Sequence, residues 1–235
     1  MKDVGPDATA AGGRGTAYCR RGWSLWLGIG LVLAGLAVLG WVGWQLYGTN
    51  VVSRHRHQET VQRLEDEWAK PQGEARADVG TAQGTASAIL RVPAWGDDFA
   101  VPVLEGVDDA ALASGVGHFE GSAGPGQKGN YALAGHRVTH GEPLREMESL
   151  DVGDLVVVET RDVVYTYVLD TDGDDLRVPF TAGWVVGAEP VNPDPAGVGP
   201  REDEAELITL TTCAELFHTD DRLVAFGHLV SAVDR

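Results

Sequence analysis

The stretch TLTTCAELFHTDDRLVAFGHLV, residues 209–230, decides the fold. Its opening TLTTC is a strand-forming run that ends on a cysteine, and a second such run begins at Arg222, nine positions after Cys213. Two strands joined by the short connection 214–221 are expected to return on each other as an antiparallel pair. Paired strands lie about 4.8 Å apart, which brings Arg222 beside Cys213. Cys213 closes its strand, where a side chain can meet solvent, and a thiol near a fixed cation has its thiolate favoured. That is the electrostatics a nucleophilic thiol needs.

Outward from this pair, the chain from Ala88 onward reads as β. Strands are expected near 89–92, 100–104, 130–136, 154–159, 163–169, 184–187, 206–212 and 222–230, each a short run bounded by turn formers. Eight short strands indicate an all-β sandwich or barrel. Two interruptions look helical. VDDAALASGVG has Asp108 as its N-cap and stops at Gly115, while GEPLREMESLDVG has Pro143 near its first turn and Leu144, Met147 and Leu150 at helical spacing. The run GAEPVNPDPAGVGPREDEAE carries Pro190, Pro193, Pro195 and Pro200, which excludes a central strand and makes it a long loop leading into the cysteine strand.

The N-terminal part is different. WSLWLGIGLVLAGLAVLGWVGWQLY, residues 23–47, holds no charge. At about 1.5 Å per helical residue it spans a hydrocarbon core of about 30 Å. Trp23 and Trp26 at one end and Trp41, Trp44 and Tyr47 at the other suit the two interfaces. A cleaved secretory signal has a shorter apolar core, about 7 to 15 residues, ending at small residues, so an uncleaved signal anchor is expected. Arg20 and Arg21, with Lys2 and Arg14 behind them, favour a cytoplasmic tail over 1–22 and export of the remainder. Residues 48–87 are polar, with capacity for a short helix over 59–68, and read as an extracellular juxtamembrane linker that lifts domain 88–235 off the bilayer.

Charge separates the two parts. Residues 1–87 are nearly neutral at +1, whereas 88–235 carry −18 of the total −17. So acidic a domain repels phosphate backbones, which excludes nucleic acid as a partner class. Cys19 and Cys213 fall on opposite sides of the expected span, so no disulfide forms. An exported domain with one unpaired cysteine points to a reactive thiol, against the plainer reading of a buried small hydrophobe.

A thiol attacking an amide also needs a proton source for the leaving amine, and histidine is the usual choice near neutral pH. His118, His136, His140, His218 and His228 lie in the exported domain, and His55 and His57 in the juxtamembrane stretch read as too remote. His136 ends GNYALAGHR, an apolar strand closing at a polar tip as the strand of Cys213 does. His118 falls in a Gly-rich loop, His140 in a turn, His218 in the Cys213–Arg222 connection, and His228 within the last strand as a structural histidine.

GNYALAGHR, then TLTTC, then Arg222 resembles the sortase family, membrane-anchored cysteine transpeptidases of Gram-positive bacteria, over residues 88–235. Within it, GNYALAGHR and the TTC…RLVAFGHLV stretch are most similar to the class E sortases of actinobacteria. The resemblance implies an eight-stranded sortase-type β-barrel with one or two short helices behind a single-pass anchor at the cell membrane. It implies Cys213 as the nucleophile that cleaves a C-terminal LAxTG- or LPxTG-like sorting signal between Thr and Gly through a thioester. His136 would then protonate the leaving amine and Arg222 would hold the substrate carbonyl, with Thr211 and Thr212 shaping the substrate pocket. The partners implied are surface proteins bearing that signal and an amine from a lipid-linked peptidoglycan precursor (lipid II) or a pilin lysine. The chemistry needs neither metal nor cofactor. Some members use calcium, but DTDGDD, residues 170–175, lacks the spacing of a calcium loop and reads as an Asp-Gly turn. The segment AELFHTDD belongs to no family pattern, which leaves signal preference open.

Other classes fit less well. An L,D-transpeptidase resembles S-H-G-C-x-R, whereas Thr211 and Thr212 precede Cys213 here. A metal hydrolase using His136, His140 and Glu142 would need both histidines on one helix face, which Gly135 and Gly141 oppose. The non-catalytic alternative is a membrane-tethered wall-binding β-module; within the family, the alternative is a pilin-polymerising sortase.

Overall fold

The structure is a computed structural model that describes residues 17–44, 48–71, 73–201, 203–213 and 220–235, without the side chains of 17–22, 24, 49 and 213. The connection 214–219, with His218, lies outside the described residues. The chain divides into a unit ending at Gln45 and a unit from Leu46 to Arg235. The first contains α1 (Ala17–Gly43), whose segment Leu25–Gly43 is long and apolar enough to cross a membrane by length and composition.

The second unit is a closed barrel. Its ten strands are β1 (Val79–Thr81), β2 (Gly84–Arg91), β3 (Val101–Glu105), β4 (Val116–His118), β5 (Gly129–Ala134), β6 (Leu155–Glu159), β7 (Val163–Leu169), β8 (Leu176–Pro179), β9 (Glu206–Cys213) and β10 (Asp221–Asp234). Eight of them close a ring in the order β2-β3-β4-β5-β9-β10-β7-β6, shut by the β2–β6 pairing; β1 hangs on β2, and β8 on β10. This is the expected eight-stranded barrel. Alternate residues point inward, so Leu90, Val103, Leu133, Val158, Leu210 and Leu223 fill one core.

Seven of the expected strands exist; the eighth does not. Residues 184–186 lie instead in a 3₁₀ turn (Gly183–Val186) that Gly187 caps, although WVVG is apolar and β-branched. Val185 is buried against Val224 and Phe226 on the outside of the barrel, and the buried amide of Asn130 donates to Val185 O at 3.2 Å and Gly187 O at 3.0 Å. That tertiary anchor overrides local β propensity. The ring's missing member is β4, three residues long. Gly117 sits there because a Cβ would collide with the carbonyl of Gly106. Such a strand is too short to show a period.

α3 (Asp109–Leu112) forms where Asp108 caps it, its carboxylate accepting from Ala111 N at 2.8 Å. The second expected helix is reduced to a 3₁₀ turn (Met147–Ser149), yet Leu144, Met147 and Leu150 are all buried. DTDGDD forms the expected turn; Asp172 accepts from Val152 N, and Gly173 N donates to Leu150 O.

The expected linker 48–87 is the larger departure. α2 (Thr49–Trp68) lies on the barrel, burying Asn50, Ser53, His57, Val61, Leu64 and Trp68 along one helical face. Val61, Leu64 and Trp68 join Ile89, Leu104 and Ala111 in a second core. Arg91 donates to Glu65 of α2 at 2.9 Å and to Glu159 at 2.8 Å. The upper half of that face is polar, so no apolar period announced it.

Candidate active site

The barrel brings three strand ends to one level. β9 runs parallel to β5, with Ala134 opposite Thr211, and antiparallel to β10, with Arg222 opposite Cys213. His136 lies two residues past Ala134, as Cys213 lies two past Thr211. Parallel neighbours finish at the same end of a sheet and an antiparallel neighbour starts there, so the topology alone gathers His136, Cys213 and Arg222.

Hydrogen bonds fix the level of the histidine. Gly135 N donates to Thr211 O at 3.1 Å, and Thr212 Oγ1 donates to Gly135 O at 2.7 Å. Leu144 N donates to His136 O at 3.1 Å and closes the loop that follows. Thr211 and Thr212, expected to shape a substrate pocket, are buried wall residues, 6% and 2% exposed. The Thr212 hydroxyl is committed to the backbone of Gly135.

His136 is half-buried, and its pKa is pushed down to about 4, chiefly by burial and then by the charge of His140. Arg222 pushes in the same direction and Asp109 opposes it. The imidazole is therefore neutral at neutral pH and within electrostatic reach of Arg222. One Arg222 nitrogen donates to Asp221 O at 3.1 Å.

The other histidines separate cleanly. His118 is not in a loop but on β4, buried, with Nδ1 2.8 Å from Glu105 and Nε2 3.0 Å from Ala123 O. His228 is structural, held by Asp170 at 2.9 Å. His140 stacks on His136 with ring centroids 4.6 Å apart. His57 is not remote: it is buried beneath Gly141, and its own pKa falls to about 4 through burial, with Arg54 and His140 adding to the effect. Among the described residues no three His, Cys, Asp or Glu side chains cluster as metal ligands. Glu142 is engaged by Asn50, Arg54 and Arg145, which disfavours the His136–His140–Glu142 metal reading.

A family model for the sortase domain matches residues 90–230. The chain belongs to the sortase family. Sortase SrtE1 of Streptomyces coelicolor is 33% identical over 207 residues, covering 85% of this chain but 55% of that protein. This sortase thus spans about half the length of that relative. A structure of sortase E from Streptomyces avermitilis is 34% identical, with a TM-score of 0.56 over 66% of this chain and 93% of that one. A crystal structure of Sortase E1 from Streptomyces coelicolor "with tripeptide in the active site" is 30% identical, with a TM-score of 0.52 over 67% and 94%. The resemblance to class E sortases read from GNYALAGHR and the TTC…RLVAFGHLV stretch agrees with these likenesses.

Proposed function

We propose that this sortase is a membrane-anchored cysteine transpeptidase in which Cys213, His136 and Arg222 act together. The observation that carries the reading is the backbone register that sets Arg222 opposite Cys213 and His136 at their level. The guanidinium favours the thiolate. His136, neutral at rest, takes the thiol proton, and the new thiolate offsets the repulsion from Arg222.

The thiolate adds to the carbonyl carbon of the signal's threonine, forming the S–C bond, and Arg222 holds the oxygen on which charge develops. The Thr–Gly C–N bond then breaks and His136 gives its proton to the departing amine. In the second half an incoming amine loses a proton to His136, attacks the thioester and releases Cys213. A peptide held in the active site of a 30% identical sortase E1 supports a peptide substrate. An LAxTG- or LPxTG-like signal on surface proteins and an amine of a wall precursor complete the reaction, in an anchoring role. α1 holds the domain at the cell membrane as a single pass with the N-terminus inside.

The test is cleavage of quenched LAxTG and LPxTG peptides by the full chain in detergent micelles, with Cys213→Ala as control. Cleavage between Thr and Gly by the wild type alone is expected. Equal rates in both proteins, or none with either peptide, would overturn the reading.

A further inference from the structure

Among the described residues, only His140 and Glu142 are non-glycine residues at positive φ, at 54° and 56°, with Gly141 between them at 84°. Three consecutive left-handed residues are disfavoured, since a Cβ crowds the following carbonyl there. Such a turn persists only when its surroundings over-determine it. Here the surroundings are α2.

Asn50, 7% exposed, holds the turn from three sides. Its Nδ2 donates to Val138 O at 3.1 Å and to Glu142 Oε1 at 2.9 Å, and its Oδ1 accepts from Gly141 N at 3.1 Å. Arg54, one helical turn on, donates to Gly141 O at 3.3 Å and to Glu142 Oε2 at 2.6 Å. The His57 ring lies under Gly141 so closely that a Cβ there would come within 2.6 Å of it. No side chain but hydrogen fits.

The turn matters because of what it presents. His140 lays its ring on that of His136, with 32° between the planes, and its Nδ1 lies 3.0 Å from Thr139 Oγ1. We propose that Asn50 is a positioning residue for the reaction: it clamps the left-handed turn to α2, and the clamped turn fixes the His136 ring through His140. This rests on the proposed role of His136. A loop of this kind left to itself would let the imidazole swing, and a misplacement of about 1 Å costs about a hundredfold in rate.

Among the described residues, the groups facing His136 are His140 from the turn, Asp109 from α3 and Arg222 from β10, with Cys213 at its level on the neighbouring strand. Facing the turn are Arg54 and His57 of α2 and Arg145 of the loop. Releasing the turn removes the ring stacked on His136 and a charge that lowers its pKa.

The test is an NMR titration of His136 in the full chain, isotope-labelled at histidine, in detergent micelles, alongside peptide cleavage. In Asn50→Ala the His136 midpoint is expected to rise by about one pH unit, and kcat to fall about tenfold with KM changed less than about twofold. His140→Asn suits the left-handed backbone but lacks the ring, so the same two changes are expected at an unaltered melting temperature. A folded Asn50→Ala with wild-type titration and kcat would overturn the proposal, as would His140→Asn with an unmoved His136 midpoint. If Asn50→Ala does not fold, His140→Asn decides alone. A wild type that cleaves no sorting peptide would reject the transpeptidase reading and leave the His136 titration to decide the positioning.

Discussion

Thr212 Oγ1 donates to Gly135 O at 2.7 Å, so the residue before the cysteine holds the residue before the histidine. Replacing Thr212 with Val keeps the shape and removes the donor from a buried site. The expected cost is about 1 to 2 kcal/mol of stability and about tenfold in kcat/KM. Thr212→Ser should restore both. Denaturant melts and peptide kinetics on the three proteins check this, and a Val variant as active as the wild type would contradict it.

In the proposed mechanism Arg222, opposite Cys213 in the strand register, has two separable duties, favouring the thiolate and binding the substrate oxygen. Lysine keeps the charge without the planar fork. Arg222→Lys should retain most of the iodoacetamide alkylation rate at Cys213 near pH 7 but lose about 100-fold in kcat. Arg222→Ala should lose both. Alkylation rates unaffected by either change would show that Arg222 does not govern the thiol.

His57 and His136 both have pKa values pushed down to about 4 by burial. Their unfolded values lie near 6.5, so between these limits the unfolded chain binds more protons. Stability therefore rises with pH across this window, is fully present above about pH 6.5, and is lost as pH falls toward 4. The nearly buried His57 contributes at most about 1.4 kcal/mol per pH unit. Glu105, held low by its bond to His118, adds loss in the same direction at lower pH. Urea melts from pH 4 to 8 should show the slope, and His57→Phe should flatten it.

The packing of α2 sets the boundary of the folding unit. A fragment of residues 88–235 cuts β2 and removes Val61, Leu64 and Trp68 from their core, leaving Ile89 and Leu104 uncovered. Each such side chain is worth about 1.5 to 3 kcal/mol, and domains have only about 5 to 15 to lose. The fragment is expected to aggregate or melt far below a fragment of residues 49–235. Matching melting temperatures would show that α2 is dispensable.

Much of this was legible because it is local. Cys213 and Arg222 belong to consecutive strands of one pair, and the Asp108 cap needs only its own turn. Where reading failed, distant partners intervened. WVVG is held as a 3₁₀ turn by Asn130, 55 positions away from Val185, and the polar face of α2 resembles a linker until Val138, Gly141 and Glu142 stand opposite Asn50.

The sequence by itself determined the alternation that makes a barrel, the apolar helix, and the backbone pairing of Cys213 with Arg222, since each follows from neighbouring residues and short turns. Only the tertiary structure decided that β5 lies parallel to β9, which brings His136 level with Cys213, and that α2 closes over the turn of His140. Parallel pairing and helix docking join segments far apart in the chain. Their specificity lies in buried polar contacts, which leave no period in the sequence.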